Sequence, residues 1–457
     1  MNIQEVVLAQ KEFFNSGETL SLEYRIDRLK KLRDVIENNI DLIHEALKAD
    51  LKKPLFEAFT AETMFVINEI NKVLKNLKRW MKPKKVSPPK VHLPVECLIR
   101  PEPYGTIFII SPWNYPFQLL ISPLVGALAA GNTVILKPSE LAPNVSKVVN
   151  KLISDNFPKE EIAVIEGGPD ETNAVIDSNV DYIFYTGSTS VGRIIYQRAA
   201  KFLTPVTLEL GGKSPCVIQD VKSLKLITKR IVWGKFMNAG QTCIAPDYIL
   251  MPEKYKDDFI KYFKKHVESF YGENPHLSKD YSRIISRRHY ERLKGFLGDV
   301  KVHSGGNVND DDLYIEPTLV ECEDSSPLLQ EEIFGPILPI VKSESLDHSI
   351  QYIKARPKPL ALYNFSNLKS NHDKIIAHTS SGGVCLNDTL LQITADHLPF
   401  GGVGDSGLGA YHGKFSFNTF SHQKSIMKRS FKFDVPLRYP PFPKNLKLIK
   451  LLLKKLG

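Results

Sequence analysis

The sequence predicts an α/β protein with two α/β units behind a helical N-terminal layer. Between Gly105 and Tyr185, apolar strand-like runs alternate with helical patterns. Such alternation indicates a parallel sheet with helices on both faces. A second α/β series runs from residue 216 to about 400. Because 457 residues are too many for a single core, two or three domains are expected.

The first 82 residues are predicted to be helical. Apolar side chains recur at helical spacing between Leu22 and Ile40, with lysines and arginines between them. A second long helical pattern runs from Phe56 to Trp80, and its acidic residues Glu57 and Glu62 are interpreted as solvated.

A β-excursion is predicted to follow. Prolines at 83, 88, 89 and 94 break the helical pattern, and Val91–Leu93 and Val95–Ile99 alternate like strands. Thr106–Ile110 and Thr133–Leu136 are then continuous apolar runs, as expected for strands buried on both faces. Polar residues follow these strands at their carboxyl ends, where open α/β sheets bind ligands.

The composition excludes several classes of protein. Lys and Arg total 60 against 51 for Asp and Glu, an excess that favours anionic ligands without indicating nucleic acid, and no nucleic-acid-binding signature occurs. The five cysteines form no C-x-x-C pair, so neither a disulfide framework nor a metal site is expected. Without a signal peptide, or an apolar run near the roughly 20 residues that span a bilayer, a cytoplasmic protein is expected.

The small-residue turn at 238–243 ends in Cys243. It follows the helical segment Ile231–Met237 and precedes the strand-like Tyr248–Leu250. A cysteine on such a turn, with backbone N–H groups beside it, is well placed as a nucleophile. A lone cysteine is also often a small buried hydrophobe, so its partners must decide between the two interpretations.

Three further loops carry candidate functional residues. Gly187–Gly192 opens a helix directly after a buried strand, which suits phosphate binding, although a plain helix cap needs no ligand. The loop at 331–336 contains a carboxylate pair and an aromatic residue, which solvent exposure alone could also explain. The glycine-dense stretch at 399–409 is either a flexible linker or an ordered, closely packed backbone.

Seven motifs in order resemble the aldehyde dehydrogenase superfamily, and the resemblance covers nearly the whole chain. The Gly-Gln-Thr-Cys-Ile-Ala-Pro-Asp-Tyr run at 240–248 and Tyr-His-Gly-Lys at 411–414 look like the class 3, fatty-aldehyde branch. The motifs are Ser-Pro-Trp-Asn (111–114), Lys-Pro-Ser-Glu (137–140), Gly-Ser-Thr-Ser-Val-Gly (187–192), Glu-Leu-Gly-Gly-Lys-Ser-Pro (209–215), Gly-Gln-Thr-Cys (240–243), Glu-Glu-Ile-Phe-Gly-Pro (331–336) and Pro-Phe-Gly-Gly-Val-Gly (399–404).

The resemblance implies roles for individual residues. Cys243 matches the nucleophile, Glu209 the general base and Asn114 the amide that binds the oxyanion. The implied cofactor residues are Lys137 and Glu140 at the adenosine ribose, Gly187, Ser188, Thr189, Ser190, Val191 and Gly192 at the pyrophosphate, and Glu332 and Phe334 at the nicotinamide ribose and ring.

The implied reaction is the NAD(P)-dependent oxidation of an aldehyde to a carboxylic acid. It passes through a thiohemiacetal and a thioester on Cys243, and Glu209 activates the water that hydrolyses the thioester. Glu140 would accept a ribose hydroxyl and repel a 2′-phosphate, which favours NAD and leaves NADP open. Medium- or long-chain aliphatic or aromatic aldehydes are the expected substrates. The alternatives are a semialdehyde-specific or acylating relative, and a non-catalytic scaffold with this fold.

Four residues near the catalytic motifs are candidates for an apolar substrate pocket, although they could equally be plain core. They are Tyr115, Trp233, Met237 and Thr242.

The resemblance also implies a division of the chain and a homodimer. Residues 1–82 and 103–209 form a Rossmann-like NAD(P)-binding domain, and 210–412 form the catalytic domain. Residues 83–102 and 413–435 are oligomerisation segments. The tail at 436–457 is predicted to be a basic amphipathic helix, which either packs on the dimer or makes peripheral contact with an anionic membrane.

Overall fold

The N-terminal region is helical, as predicted. The computed structural model describes residues 2–432, 434, 438–442 and 446–456. The side chain of Ser21 caps the second helix by accepting from the Tyr24 N–H. The helices are α1 (Ile3–Asn15), α2 (Leu22–Glu37), α3 (Ile40–Leu51), α4 (Leu55–Glu57) and α5 (Met64–Trp80).

The second predicted helix is not continuous, and its acidic residues are not simply solvated. A π-helical stretch, Ala58–Thr63, separates α4 from α5. Glu62 is fully buried in this stretch, so its interpretation as a solvated residue is wrong. This face of the helix packs towards the protein interior, where Glu62 forms an ion pair with Lys53. Glu57 is partly exposed and accepts a hydrogen bond from the Asn238 N–H.

The strand predicted at 95–99 is present, but the one predicted at 91–93 is wrong. Residues Lys90–His92 form a short 3₁₀ turn between Pro89 and Pro94, which lack the N–H groups that a ladder requires. The chain continues through β1 (Lys84–Val86), β2 (Val95–Pro103), β3 (Thr106–Ile110), α6 (Gln118–Ala130), β4 (Thr133–Lys137), α7 (Pro143–Asn156), β5 (Ile162–Val164), α8 (Pro169–Asp177), β6 (Tyr182–Thr186), α9 (Thr189–Ala200) and β7 (Val206–Glu209).

The second α/β series is also present. Its elements are β8 (Pro215–Ile218), α10 (Leu224–Phe236), β9 (Tyr248–Met251), α11 (Lys256–Tyr271), α12 (Arg287–Gly295), β10 (Lys301–Ser304), β11 (Val308–Asn309), β12 (Tyr314–Ile315), β13 (Thr318–Glu321), α13 (Pro327–Gln330), β14 (Ile337–Lys342), α14 (Leu346–Lys354), β15 (Ala361–Phe365), α15 (Lys369–His378) and β16 (Gly383–Leu386). The chain ends with β17 (Gly407–Leu408), α16 (Lys414–Thr419), β18 (Ser421–Arg429) and α17 (Leu446–Leu456).

Two large sheets form the centre of the molecule. The six-stranded sheet has the order β17-β7-β6-β3-β4-β5, and only its edge strand β17 is antiparallel. Every residue of β3, β4 and β6 is buried, which confirms strands covered on both faces. The seven-stranded sheet has the order β10-β13-β14-β9-β8-β15-β16, with β10 antiparallel.

A three-stranded sheet, β1-β2-β18, joins the predicted excursion to the C-terminal segment. Strands β2 and β18 are antiparallel, with Val95 opposite Arg429 at one end and Pro103 opposite Ser421 at the other. Strand β17 lies within the predicted catalytic segment but pairs with β7, opposite Glu209. The chain therefore returns to the first sheet before residue 413, and the domain boundaries themselves stay a prediction.

The C-terminal tail is helical over Leu446–Leu456. Some positions of the predicted segments lie outside the described residues. They are 436, 437, 443–445 and 457 in the tail, and 433 and 435 in the oligomerisation segment. Within the described ranges, no helix is long and apolar enough to cross a membrane.

Candidate active site

A strained turn presents Cys243. After α10 ends, Asn238 and Ala239 both adopt positive φ (53° and 52°), and Gly240 follows at 75°. Left-handed backbone at a residue such as Ala is uncommon and persists only where the surroundings enforce it. A side chain on Gly240 would overlap the carbonyl of Gly335, because the turn packs closely against the 331–336 loop.

Asn114 is bound to the same turn. Its side-chain Nδ2 donates to the Gln241 carbonyl at 3.0 Å, and its own carbonyl accepts from Asn238 Nδ2 at 2.9 Å. Gln241 Nε2 in turn donates to the Asn238 carbonyl at 3.0 Å. One amide hydrogen of Asn114 is used in this network, which leaves the second for a ligand beside Cys243.

The surroundings of Cys243 disfavour its thiolate form. Burial, followed by the carboxyl groups of Glu332 and Glu209, raises the pKa of Cys243 well above its usual range. The backbone N–H groups of Cys243 and Ile244 act in the opposite direction, as hydrogen bonds to a thiolate do. Thiolate formation therefore requires a base or a positive charge beyond these two N–H groups.

Glu209 is a buried carboxyl at the end of β7. It is 2% exposed, and neither carboxyl oxygen has a hydrogen-bond partner among the described residues. Burial raises its pKa well above the ordinary value. An unpartnered buried carboxyl is costly for folding and marks a candidate functional group. Burial, then the Glu209 carboxylate and the Cys243 thiolate, raises the pKa of Tyr411, which places both groups near that phenol.

The cofactor candidates lie at one edge of the six-stranded sheet. The strand order reverses between β3 and β6, and open α/β sheets bind ligands in the crevice at such a switch point. Lys137 ends the adjacent strand β4, and its buried Nζ donates to the Pro138 carbonyl at 2.9 Å and to Glu140 at 3.2 Å. The Glu140 side chain is 54% exposed, three residues after the end of β4.

The predicted pyrophosphate turn opens α9 at the end of β6. Ser188 caps the helix by accepting from the Val191 N–H, while Ser188, Ser190 and Val191 are exposed and Thr189 is partly exposed. A side chain on Gly187 would overlap the Tyr185 hydroxyl, and one on Gly192 would overlap Leu210. The two glycines thus lie in close contact with neighbouring side chains, and the exposed helix N-terminus remains accessible to an anion.

Glu332 and Phe334 lie beside the nucleophile turn. A side chain on Gly211 would overlap the Glu332 carboxyl, and burial raises the pKa of Glu332 to about 8. This favours a functional carboxyl over a solvated one. Phe334 adopts φ 49° and contacts Trp113 edge to face, with ring centroids 5.2 Å apart.

The glycine-dense stretch is ordered rather than a flexible linker. A side chain on Gly402 would overlap the Ser406 carbonyl, and one on Gly401 would overlap Gly409. The backbone folds closely on itself and carries β17 to the edge of β7.

The substrate-pocket candidates differ in their surroundings. Tyr115 and Thr242 are both buried, and their hydroxyls are 2.9 Å apart next to Cys243. Met237 is partly buried against the core of the seven-stranded sheet. Trp233 is 39% exposed on the last turn of α10, where its carbonyl accepts from the Met237 N–H.

Sequence reasoning missed Lys53, Glu57, Glu62 and Tyr411 as neighbours of this site. Tyr411 belongs to the Tyr-His-Gly-Lys motif, but the motif assigns it no function. Only the folded structure brings the Tyr411 hydroxyl near Glu209. All five cysteines are free, and the described residues contain no group of three His, Cys, Asp or Glu that could hold a metal ion.

Known proteins match this chain over nearly its whole length. The sequence model of the aldehyde dehydrogenase family matches residues 1–426. The 4,4'-diaponeurosporen-aldehyde dehydrogenase of Staphylococcus aureus (strain NCTC 8325 / PS 47) is 46% identical over 455 residues, which cover 99% of both chains. The dimeric NADP-preferring aldehyde dehydrogenase of Rattus norvegicus is 46% identical over 445 residues, covering 97% of this chain and 98% of the relative.

Solved structures agree. A substrate-bound aldehyde dehydrogenase of Staphylococcus aureus superimposes with a TM-score of 0.97 at 46% identity, covering 99% of this chain and all of that one. A betaine aldehyde dehydrogenase variant of the same organism, solved with NAD⁺, gives 0.85 at 26% identity, covering 96% and 91%. Family 3 members of mouse and human are among the relatives, at 44% identity, which confirms the class 3 resemblance. The chain belongs to the aldehyde dehydrogenase family and is, as predicted, an oxidoreductase that acts on the aldehyde group.

Proposed function

We propose that Cys243, Glu209 and Asn114 oxidise an aldehyde to a carboxylic acid. The observation that carries this proposal is the buried, unpartnered carboxyl of Glu209 near Cys243, together with Asn114 bound to the turn that presents the thiol. A carboxyl that is desolvated without a partner calls for an explanation, and its position near Cys243 distinguishes Glu209 from Glu69, the other buried carboxyl without a partner among the described residues.

The Cys243 thiol first gives up its proton to solvent water, and the thiolate Sγ then adds to the carbonyl carbon of the aldehyde. The oxygen of the resulting thiohemiacetal is stabilised by the free amide hydrogen of Asn114 and the Cys243 N–H, each contributing about 3–4 kcal/mol to the transition state. Loss of hydride from that carbon leaves a thioester on Sγ. Glu209 then removes a proton from water, whose oxygen attacks the thioester and releases the acid and the thiol.

The cofactor is NAD(P), which accepts the hydride when it is bound. One relative is named as NADP-preferring, and another was solved with NAD⁺. The residues present fit a dinucleotide. The exposed N-terminus of α9 supplies free N–H groups for a pyrophosphate, and Glu140 offers a carboxylate acceptor for a ribose hydroxyl. Glu332 and Phe334 hold positions beside Cys243 that suit the ribose and ring at the other end.

We propose a medium- or long-chain aliphatic or aromatic aldehyde as the substrate. Tyr115 and Thr242 shield one side of Cys243, and Met237 adds apolar surface at the start of the turn, while Trp233 would lie at the rim. A close relative is named for a 4,4'-diaponeurosporen-aldehyde.

An aldehyde panel tests this proposal. NADH and NADPH formation is followed with aliphatic aldehydes of increasing chain length, aromatic aldehydes and charged semialdehydes. We expect kcat/KM to rise with apolar length. A sharp optimum at one small or charged aldehyde would replace this substrate class with the semialdehyde alternative, and dependence on coenzyme A or phosphate would identify an acylating enzyme.

We further propose the predicted domain division and a homodimer paired through the excursion sheet. Strand β18 is an edge strand of that sheet, and a close relative is named as dimeric. In a cytoplasmic protein, the tail helix α17 could also contact anionic membrane, since Leu446, Lys450, Leu451 and Lys454 are all exposed. Light scattering tests the dimer. Sedimentation with anionic vesicles, with and without residues 446–457, tests the membrane contact.

A further inference from the structure

Three charged side chains form a cluster behind the active site. Lys53, just after α3, has a fully buried side chain and forms an ion pair with the equally buried Glu62 of the π-helical stretch. Glu57 lies one turn earlier, and Lys53 lowers its pKa, although burial is stronger and raises that pKa to about 7. We call Lys53, Glu57 and Glu62 the buried charge cluster, in which Lys53 and Glu62 are fully buried and Glu57 is partly buried.

Lys53 and Glu57 contact loops of the active site, and Glu62 contacts the first turn of the helix that follows one of them. Lys53 Nζ donates to the Asn114 carbonyl at 3.0 Å. Glu62 accepts from the Gln118 N–H at 2.8 Å, at the start of α6. Glu57 accepts from the Asn238 N–H at 3.0 Å, in the strained turn before Cys243.

These contacts converge on Asn114. Its carbonyl accepts from Lys53 on one side and from Asn238 Nδ2 on the other, and its side chain donates to Gln241. The Lys53 ammonium also lies over the Tyr115 ring, 4.1 Å from the centroid. The N-terminal helices therefore fix the oxyanion donor and the nucleophile turn to one another through direct hydrogen bonds.

The stability of the fold does not account for this arrangement. Removing two charges from water costs several kcal/mol, and replacing a buried pair with apolar residues is often neutral or stabilising. A cluster retained for stability alone would not need to bind Asn114 with one charge and Asn238 with another. A misplacement of a catalytic group by about 1 Å can cost about 100-fold in rate.

We propose that the buried charge cluster positions Asn114 and the Cys243 turn for catalysis. Lys53 sets the position of the Asn114 backbone, Glu62 fixes the start of α6 behind it, and Glu57 stabilises the left-handed backbone at Asn238. These three are positioning residues, since none of them reaches the reacting atoms. The proposal rests on the role of Asn114 in the proposed function, and the experiment separates the two.

The test compares Lys53→Met, Lys53→Arg and the double variant Lys53→Met/Glu62→Met in the full-length protein. The single methionine variant leaves Glu62 unpaired and is expected to lose stability. The double variant removes both charges and is expected to keep a thermal midpoint near that of the wild type. Active sites are counted by titrating gel-filtered, folded protein with the dinucleotide cofactor, so that misfolded protein is not scored as slow enzyme.

We expect the double variant to lower kcat per counted site about 30- to 100-fold while KM for the aldehyde changes less than about threefold. Lys53→Arg, which retains a donor, recovers at least part of that loss. Arg28→Met is the matched control, because it breaks the partly buried Arg28–Glu161 ion pair far from Cys243. It should leave kcat per counted site within about twofold.

A folded double variant with kcat per counted site near the wild-type value would overturn the proposal, as would an equal loss in Arg28→Met. Asn114→Ala is measured in parallel. If Asn114→Ala is itself fully active, the oxyanion role in the proposed function fails. If Asn114→Ala is slow and the double variant is fast, only the positioning role fails.

Discussion

The side-chain nitrogen of Asn114 lies 3.0 Å from the carbonyl oxygen of Gln241, two residues before Cys243. The proposed oxyanion donor and the proposed nucleophile are therefore parts of one hydrogen-bonded unit, although 129 positions separate them in the chain. Because the same asparagine side chain has a second amide hydrogen, it can bind the turn and the substrate oxygen together.

Asn114→Ala should lower kcat by about 100- to 1,000-fold, the usual cost of one oxyanion donor. The loss should appear equally in kcat/KM, since the donor acts when charge develops on the oxygen. Steady-state NADH formation measures both. Asn144→Ala, which removes an exposed asparagine on α7, is the control and should be near the wild type. Equal activity of the two variants would remove Asn114 from the mechanism.

Cys243→Ala should form no NADH, because the variant removes the proposed nucleophile and leaves Glu209 and Asn114 in place. Cys322→Ala, at a partly buried cysteine of the second α/β series, should retain activity. Intact-mass spectrometry after mixing with aldehyde and cofactor should show an acyl adduct only in proteins that retain Cys243. An adduct or turnover in Cys243→Ala would place the nucleophile elsewhere.

Glu209→Gln should complete a first turnover and then stop, because the thioester forms but water is not deprotonated. The acyl adduct on Cys243 should accumulate to about one per active site, and steady-state kcat should fall about 100-fold or more. In the wild type, burial raises the pKa of Glu209, so the deacylation rate should rise with pH above the range of an ordinary carboxyl. Retention of full steady-state turnover by Glu209→Gln would exclude it as the base.

Much of the fold was predictable because a strand that is buried on both faces of a sheet appears in the sequence as a continuous apolar run. Thr106–Ile110 is continuously apolar, and all five residues are buried in β3. The alternation of strands and helices then placed the polar residues that follow each strand at the carboxyl end of the sheet.

The buried charges were not predictable, since a solvated charge and a paired one look alike in a helical pattern. Glu62 forms an ion pair with Lys53, which lies on the other side of a break between two helices. It also accepts a hydrogen bond from the Gln118 N–H, and this contact exists only because α6 packs against it. The left-handed backbone at Ala239 was equally invisible, because alanine is not a turn residue and only its surroundings enforce that conformation.

Glu332→Gln should change the pH dependence of stability in one direction. Burial raises the pKa of Glu332 from 4.5 to about 8, so the folded protein binds this proton more tightly than the unfolded chain. The stability that this preference contributes is complete below pH 4.5 and is lost as pH rises to about 8. The thermal midpoint of Glu332→Gln relative to the wild type should therefore rise between pH 5 and 8 and level off above.

Asp312→Asn provides a control of opposite sign. Burial opposes ionisation, but hydrogen bonds from Lys52 and Arg283 lower the pKa of Asp312 to about 2. Its contribution to stability is present above the ordinary carboxyl range and is lost as pH falls through about 2, so the variant should be destabilised by a constant amount from pH 5 to 8. A flat difference for Glu332→Gln over this interval would contradict the burial of its carboxyl.

Glu140→Gln should shift the cofactor preference towards NADP. The carboxylate at the rim of the crevice would repel a 2′-phosphate, and the amide keeps an acceptor for a ribose hydroxyl. The ratio of kcat/KM for NAD to that for NADP should fall about tenfold, the effect of about 1.4 kcal/mol. The matched control is Asp155→Asn, since Asp155 is an equally exposed acid paired with Lys151 on α7. An unchanged ratio in Glu140→Gln, or an equal fall in Asp155→Asn, would show that the adenosine ribose binds away from Glu140.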